Sequence, residues 1–266
     1  NKYLIFRTDR IGDYLLTAVL IASIKENDPT ANITIIASKK NYDYIRNHNL
    51  SDEVFLLKEN FFERCKLIIK LIKEKFYAII LHDNKKRSRF ISFFLKSKNK
   101  IFPQDDLNLS HFEVIQEILK QLNFNFHVAS LDILKDKQRG NFNIKNYILL
   151  HFDEKWIYKD YIKKFINIEP TVDQLANFFD KIIVKTNKKL VITSGLKMPS
   201  LLNDILKKNL NKNIFFFKDL NFLKLEEIII NSDIMISCHG SVSHIASAKN
   251  IKQIDIIDRS YPYSRW

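Results

Sequence analysis

The chain has 266 residues and a formal net charge of +13, from 43 Lys and Arg against 30 Asp and Glu, with 46% hydrophobic and 27% charged residues. This is the composition of a globular protein with length for two ordinary domains, and no apolar run reaches the roughly 18 residues that a membrane-spanning helix needs. The basic excess favours phosphorylated or anionic partners, but the lysines are scattered among Asn and Ile; nucleic-acid binding would need basic residues interleaved with aromatics on one face and is not expected.

Short β-type runs alternate with helical-period stretches, the pattern of βαβ units and a parallel sheet. In the first half the strands read as YLIF from Tyr3, ITIIA from Ile33, EVFLL from Glu53, YAIILH from Tyr77 and KIF from Lys100. A helix from about Asp13 to Lys25 places Leu16, Val19, Leu20 and Ile24 at helical spacing, and another from about Ser110 to Leu122 does so with Phe112, Ile115 and Leu119. The run NKKRSRF, Asn84 to Phe90, follows an apolar strand and reads either as the lining of a cleft or as a solvated helix start. Between Asn123 and Lys145 the alternation weakens, and the polar LKDKQRGNFNIK with Gly140 marks a domain boundary.

The alternation then restarts. Strands fall at YILLH from Tyr147, KLVIT from Lys189, IFFF from Ile214, IMIS from Ile234 and QIDII from Gln253. Helices fall near Val172 to Thr186, Ser200 to Leu210, Lys224 to Asn231 and Ser243 to Lys249. Two successive doubly wound units follow, with ligands expected at the carboxyl ends of the strands. Cys65 and Cys238 are too distant in sequence for a disulfide framework or a zinc spacing. NKYLIFRTD shows no basic leader before an apolar segment, so the expected setting is the cytoplasm.

The glycines are informative because average usage is about 7% and this chain has only 4. Gly12, Gly195 and Gly240 each follow a strand and approach a helix. Such turns call for glycine where φ is positive or a ligand comes close to the backbone, and helix N-termini offer free N–H groups to anions. A phosphate-bearing ligand is therefore expected, although neither G-x-G-x-x-G nor a Walker sequence is present.

Two stretches gather the chemistry. In FRTDRIGDYLLT, Asp13 falls in a first helical turn where a carboxylate caps the helix, with Arg7, Asp9 and Arg10 beside it. In SDIMISCHGSVSHIASA, a buried strand runs into His239, Gly240, Ser241, Ser243 and His244 at the start of a small-residue helix.

Together these stretches resemble glycosyltransferase family 9, the lipopolysaccharide heptosyltransferase family. Its N-terminal signature is an Arg, a nearby Asp or Ser, then Gly-Asp and a small hydrophobic helix with Thr; here these are Arg7, Asp9, Gly12, Asp13 and Thr17. Its C-terminal signature, Asp-x-Gly-x-x-His and an alanine-rich helix, is matched by His244, Ala246 and Ala248. The chain departs from it at His239, which stands at the signature aspartate, and at Ser241, which stands at the signature glycine, with Gly240 one place early. LEEIIINSDIMIS from Leu225 and YPYSRW from Tyr261 also occupy family-like places.

The resemblance implies a GT-B architecture: two Rossmann-like, doubly wound parallel-sheet domains facing a cleft. Residues 1–140 would bind the acceptor, through Arg7, Asp9, Arg10, Gly12 and Thr17. Residues 141–266 would bind the nucleotide-sugar, through Gly195, Lys197, His239, Gly240, Ser241, Ser243 and His244, with a lysine after the domain's first strand. HFDEKWIYK offers Lys155 and Lys159 for that role, and Lys155 is preferred. Asp13 would be the base of an inverting transfer that uses no metal and no other cofactor. The implied donor is ADP-heptose, or another nucleotide-sugar if His239 alters the loop. The implied acceptor is lipopolysaccharide or another lipid-linked glycan at the inner face of the plasma membrane, where positive charge helps peripheral contact with an anionic surface. Two rivals stand beside it: a GT-B-shaped protein that binds a nucleotide or glycan without turnover, and a sugar-nucleotide epimerase acting on the donor alone.

Overall fold

All ten strand runs form, and they assemble into two separate parallel sheets. The computed structural model describes residues 1–103, 109–127, 142–156, 170–207 and 211–257, so Gly140, Lys159 and YPYSRW lie outside the described residues. The chain divides into two units, Asn1–Gln138 and Arg139–Tyr261.

In the first unit the order is β1 (Lys2–Arg7), α1 (Ile11–Asn27), β2 (Asn32–Ala37), α2 (Tyr42–Asn47), β3 (Glu53–Leu56), α3 (Phe61–Leu71), β4 (Lys75–Ile80), α4 (Lys86–Phe93), β5 (Lys96–Ile101) and α5 (His111–Gln121). The strands lie in the order β3-β2-β1-β4-β5, all parallel. Tyr3, Leu4, Ile5 and Phe6 of the central strand are wholly buried, because helices cover both faces. On one face Leu67 and Leu71 of α3 and Ile91 of α4 share a core with Leu4, Phe6 and Ile79. On the other, α1 packs beside α5.

The second unit repeats the plan with β6 (Tyr147–His151), α6 (Val172–Thr186), β7 (Lys189–Ser194), α7 (Ser200–Lys207), β8 (Ile214–Lys218), α8 (Phe222–Ile230), β9 (Ile234–Cys238), α9 (Ser241–Ala248) and β10 (Gln253–Ile256). Its parallel sheet runs β10-β9-β6-β7-β8. Counted from the first strand of each unit, both sheets have the same 3-2-1-4-5 order. The chain moves outward to one edge, returns, and moves outward to the other, so a crevice opens at the carboxyl ends of β1 and β4 in one sheet and of β6 and β9 in the other. The residues of both quoted stretches lie at these two points.

Three local expectations change. Helix α1 begins at Ile11, two residues before Asp13, and Gly12 lies inside its buried first turn rather than in the preceding loop. None of the described glycines lies in the left-handed region; it is taken by Asn84, Asn123, Asn146, Asn187, Asp219 and Asn250, with φ between 47° and 58°. Asn and Asp tolerate the left-handed region because a short polar side chain can bond locally to the backbone, so this glycine-poor chain closes its turns with them. Phe112, expected on the inner face of its helix, is 38% exposed, and Ile115, Ile118 and Leu119 carry the contact instead.

Candidate functional site

At the switch point of the first sheet, β1 ends in Arg7 and the chain turns into α1 through Thr8, Asp9 and Arg10. Arg7 is buried: its Nε donates to Thr17 Oγ1 of α1 at 2.7 Å, and its Nη1 to Asp9 Oδ2 at 3.1 Å. Arg7 and Thr17 thus bond to each other inside the unit and hold the β1–α1 turn. Asp13 caps the helix, its Oδ2 accepting the Arg10 N–H at 3.1 Å, and its side chain stays half-exposed beside the exposed Arg10.

Strand β4 completes this cluster. Beyond its end, Thr8 Oγ1 donates to Asp83 Oδ2 at 2.5 Å, Ser88 Oγ donates to the same oxygen at 2.7 Å, and Lys85 Nζ pairs with Asp9 and donates to the Thr8 carbonyl at 3.1 Å. His82 Nδ1 lies 3.0 Å from Thr17 Oγ1. Burial, then the Arg7 charge, then His111 push the His82 pKa well below its ordinary 6.5, so the imidazole is neutral. Below pH 6.5 the unfolded chain takes up a proton that the folded chain refuses, so stability falls as pH drops through that value. We expect stability to fall between pH 7 and pH 5 because of this group, a dependence removed in His82→Gln and measurable by urea unfolding at the two pH values.

The second switch point is built on β6 and β9. His151 ends β6 with Nδ1 2.9 Å from Thr193 Oγ1 of β7 and Nε2 3.4 Å from Asp153 Oδ2. Asp153, 4% exposed, also pairs with Lys155 Nζ at 3.2 Å and accepts the Lys155 backbone N–H at 3.1 Å. Burial pushes the Asp153 carboxyl up, but the His151 hydrogen bond and the Lys155 charge outweigh it and hold the group below its ordinary range. The next residue, Trp156, donates from Nε1 to the His151 carbonyl at 2.8 Å and stacks on Phe152, ring centres 4.7 Å apart. This short turn fixes where the Lys155 ammonium lies.

That ammonium lies against Gly240. A Cβ added to Gly240 would overlap Lys155 Nζ and come within 3.0 Å of its Cε. Glycine here leaves the space that the end of the Lys155 side chain fills. Gly240 is the N-cap of α9; Ser243 Oγ accepts its N–H at 3.0 Å and donates to its carbonyl at 2.9 Å. His239 Nδ1 is 2.6 Å from Asp255 Oδ2 of β10, and the His239 and His244 rings meet edge-to-face at 4.8 Å. A helix N-terminus with a lysine laid across it is a cationic, N–H-rich place suited to a diphosphate. Burial, then Asp153, push the Cys238 thiol up to about 12, with Lys155 opposing, so it stays protonated and unreactive.

The structure thus groups Arg7, Asp9, Arg10, Gly12, Asp13 and Thr17 in one unit, and Lys155, His239, Gly240, Ser243 and His244 in the other, with Ser241 the first residue of α9. Gly195 follows the end of β7, and Lys197 is exposed in the turn beyond it. His82 and Asp83, and likewise His151, Asp153, Thr193 and Asp255, are additions to the sequence reading, while Lys85 belongs to the NKKRSRF run read as lining a cleft or solvating a helix start. Their signal was LHD from Leu81 and LHFD from Leu150: His and Asp placed directly after a buried apolar strand. Among the described residues no group of three or more His, Cys, Asp or Glu could hold a metal ion, and no helix is long and apolar enough to cross a membrane.

Two α/β units of the same winding in one chain, each with a polar cluster at its switch point, define the GT-B class of fold. More particularly, the chain has the fold of the glycosyltransferase family 9 heptosyltransferases. It is similar to the Escherichia coli heptosyltransferase WaaC with ADP, at a TM-score of 0.73 and 10% identity, covering 98% of this chain and 89% of that one. It is similar to a family 9 glycosyltransferase from Veillonella parvula at a TM-score of 0.72 and 10% identity, covering 96% and 79%. With the E. coli ADP-heptose lipopolysaccharide heptosyltransferase II the TM-score is 0.68 at 12% identity, covering 96% and 84%. No protein-family model and no curated protein matches the sequence.

Proposed function

We propose that the protein is an inverting glycosyltransferase that moves a heptose-like sugar from a nucleotide-sugar, ADP-heptose being the first candidate, to lipopolysaccharide or another lipid-linked glycan. The 1–140 domain would take the acceptor and the 141–266 domain the donor. The observation that carries this reading is the Lys155 ammonium, anchored by buried Asp153 and seated on Gly240 at the N-terminus of α9. It supplies, from protein groups alone, positive charge for a leaving nucleoside diphosphate.

In the proposed step the acceptor oxygen bonds to the anomeric carbon and the bond from that carbon to the diphosphate oxygen breaks. The electron pair leaves with the diphosphate, and the acceptor proton goes to Asp13. Asp13 suits this role because it is half-exposed at the mouth of a parallel sheet, while Arg7 and Thr17 hold its turn from within. His239 stands where the family has aspartate, and its Nδ1 lies 2.6 Å from the Asp255 carboxylate of β10.

The proposal is tested first on the donor. A thermal-shift screen with ADP-, GDP-, UDP- and CDP-sugars should show stabilisation by the ADP-sugar, about 2.7 kcal/mol at a hundredfold excess over Kd, and no consumption without an acceptor. Stabilisation without transfer to any acceptor would support a binding protein. Conversion of the donor alone would support an epimerase.

A further inference from the structure

We infer that α4 and the edge strand β5 form a docking face for an anionic lipid bilayer. Although lysines look scattered in the sequence, the fold concentrates them here with aromatics. From Asn84 to Pro103 the chain carries seven Lys and Arg and no Asp or Glu. On α4 and just beyond it, Phe90 is 58% exposed and Phe93 79%, with Phe94 and Phe102 also exposed. Leu95 and Ile91, by contrast, are buried in the core beneath. The helix therefore has apolar residues on two faces, and only the inner one is explained by folding.

The outward rings form one cluster. Phe90 and Phe93 each meet Phe94 edge-to-face, with ring centres 5.2 and 5.6 Å apart, and the Arg89 guanidinium lies over Phe102 at 5.7 Å. Lys86, Lys96, Lys98 and Lys100 of the same segment are exposed, Lys98 lying over the Tyr77 ring at 5.4 Å and Lys100 donating to the Ser92 carbonyl of α4 at 2.8 Å. Lysine on an open strand edge also discourages edge-to-edge pairing, but that leaves four exposed phenylalanines unaccounted for. A segment that carries exposed apolar rings and seven cations with no acid matches the two layers of an anionic bilayer surface: rings at the acyl boundary, cationic groups at the phosphates. Nucleic acid, which cations beside aromatics can also suit, is told apart from lipid by the experiment below.

This face deepens the proposed function, and rests on it only for the lipid-linked acceptor. Helix α4 starts one residue after Lys85, which pairs with Asp9, so the docking face adjoins the cluster assigned to the acceptor. Binding is measured without catalysis, so its failure and that of the transferase proposal are separable.

The full chain is sedimented with vesicles of phosphatidylcholine alone and of phosphatidylcholine mixed with phosphatidylglycerol. The wild type should bind the mixed vesicles and not the neutral ones. Phe90→Ser with Phe93→Ser, and separately Lys96→Gln with Lys98→Gln, should each weaken vesicle binding about tenfold or more, while the donor-induced thermal shift is unchanged. The second pair lies wholly on exposed positions and keeps the test decisive if the first misfolds. A wild type that stays in the supernatant, variants that bind like wild type, or a stronger loss on single-stranded DNA than on vesicles would overturn the inference.

Discussion

Asp13→Asn should lower the rate of sugar transfer about a thousandfold, within the range that general-base catalysis supplies, while the donor-induced thermal shift stays at the wild-type value. Asn is the informative replacement because Asp13 also has a structural duty: its Oδ2 accepts the Arg10 N–H at the start of α1. Asparagine keeps an acceptor oxygen for that bond and loses only basicity. Alanine removes both, and should cost a further ~1 kcal/mol of stability as a lost cap. Comparing the two by urea unfolding and by transfer kinetics separates the roles. A retained rate in Asn with a lowered melting temperature in Ala would make Asp13 a cap and nothing more, and the transferase mechanism would then need another base.

The architecture was legible in the sequence because most strands are short apolar runs and helices such as α5 and α6 have a clear period, the bounds of α6, Val172 to Thr186, coinciding with the reading; β5, KSKNKI, begins at Lys96, four residues before the expected KIF, because an edge strand need not be apolar. Less legible was anything set by pairing across the sheet. Thr8 bonds Asp83, 75 residues away, and His151 bonds Thr193, 42 away, because parallel order puts β1 beside β4 and β6 beside β7. Such neighbours leave no local pattern. Gly240 stands out in the sequence for positive φ or a close ligand; its backbone is extended, and the space a Cβ would take is filled by the end of Lys155, 85 positions earlier in the chain. The αL positions, conversely, lie on Asn and Asp residues that no glycine count could reveal. The start of the α4–β5 segment was legible as NKKRSRF, but the exposure of Phe90, Phe93, Phe94 and Phe102 was not, because apolar residues in a helix or strand read first as core.

The Lys155–Gly240 contact gives the second large expectation. In Gly240→Ala the new methyl would occupy the space of Lys155 Nζ, and the backbone could keep its extended φ of 164°, which any residue adopts. What must move is the far end of a flexible side chain, so the fold should change little, with a melting temperature within a few degrees of wild type. The lysine, pushed off α9, would lose its place over the diphosphate. Donor affinity should therefore fall about 10- to 100-fold, the worth of one charge-assisted hydrogen bond of roughly 1.5–3 kcal/mol. Lys155→Met should cost a similar amount, and the double variant little more than either, because both changes remove one interaction. Calorimetric titration of the donor into the three variants measures this directly. Additive losses would mean that Gly240 and Lys155 act separately, and unchanged affinity in all three would take the diphosphate away from α9 altogether.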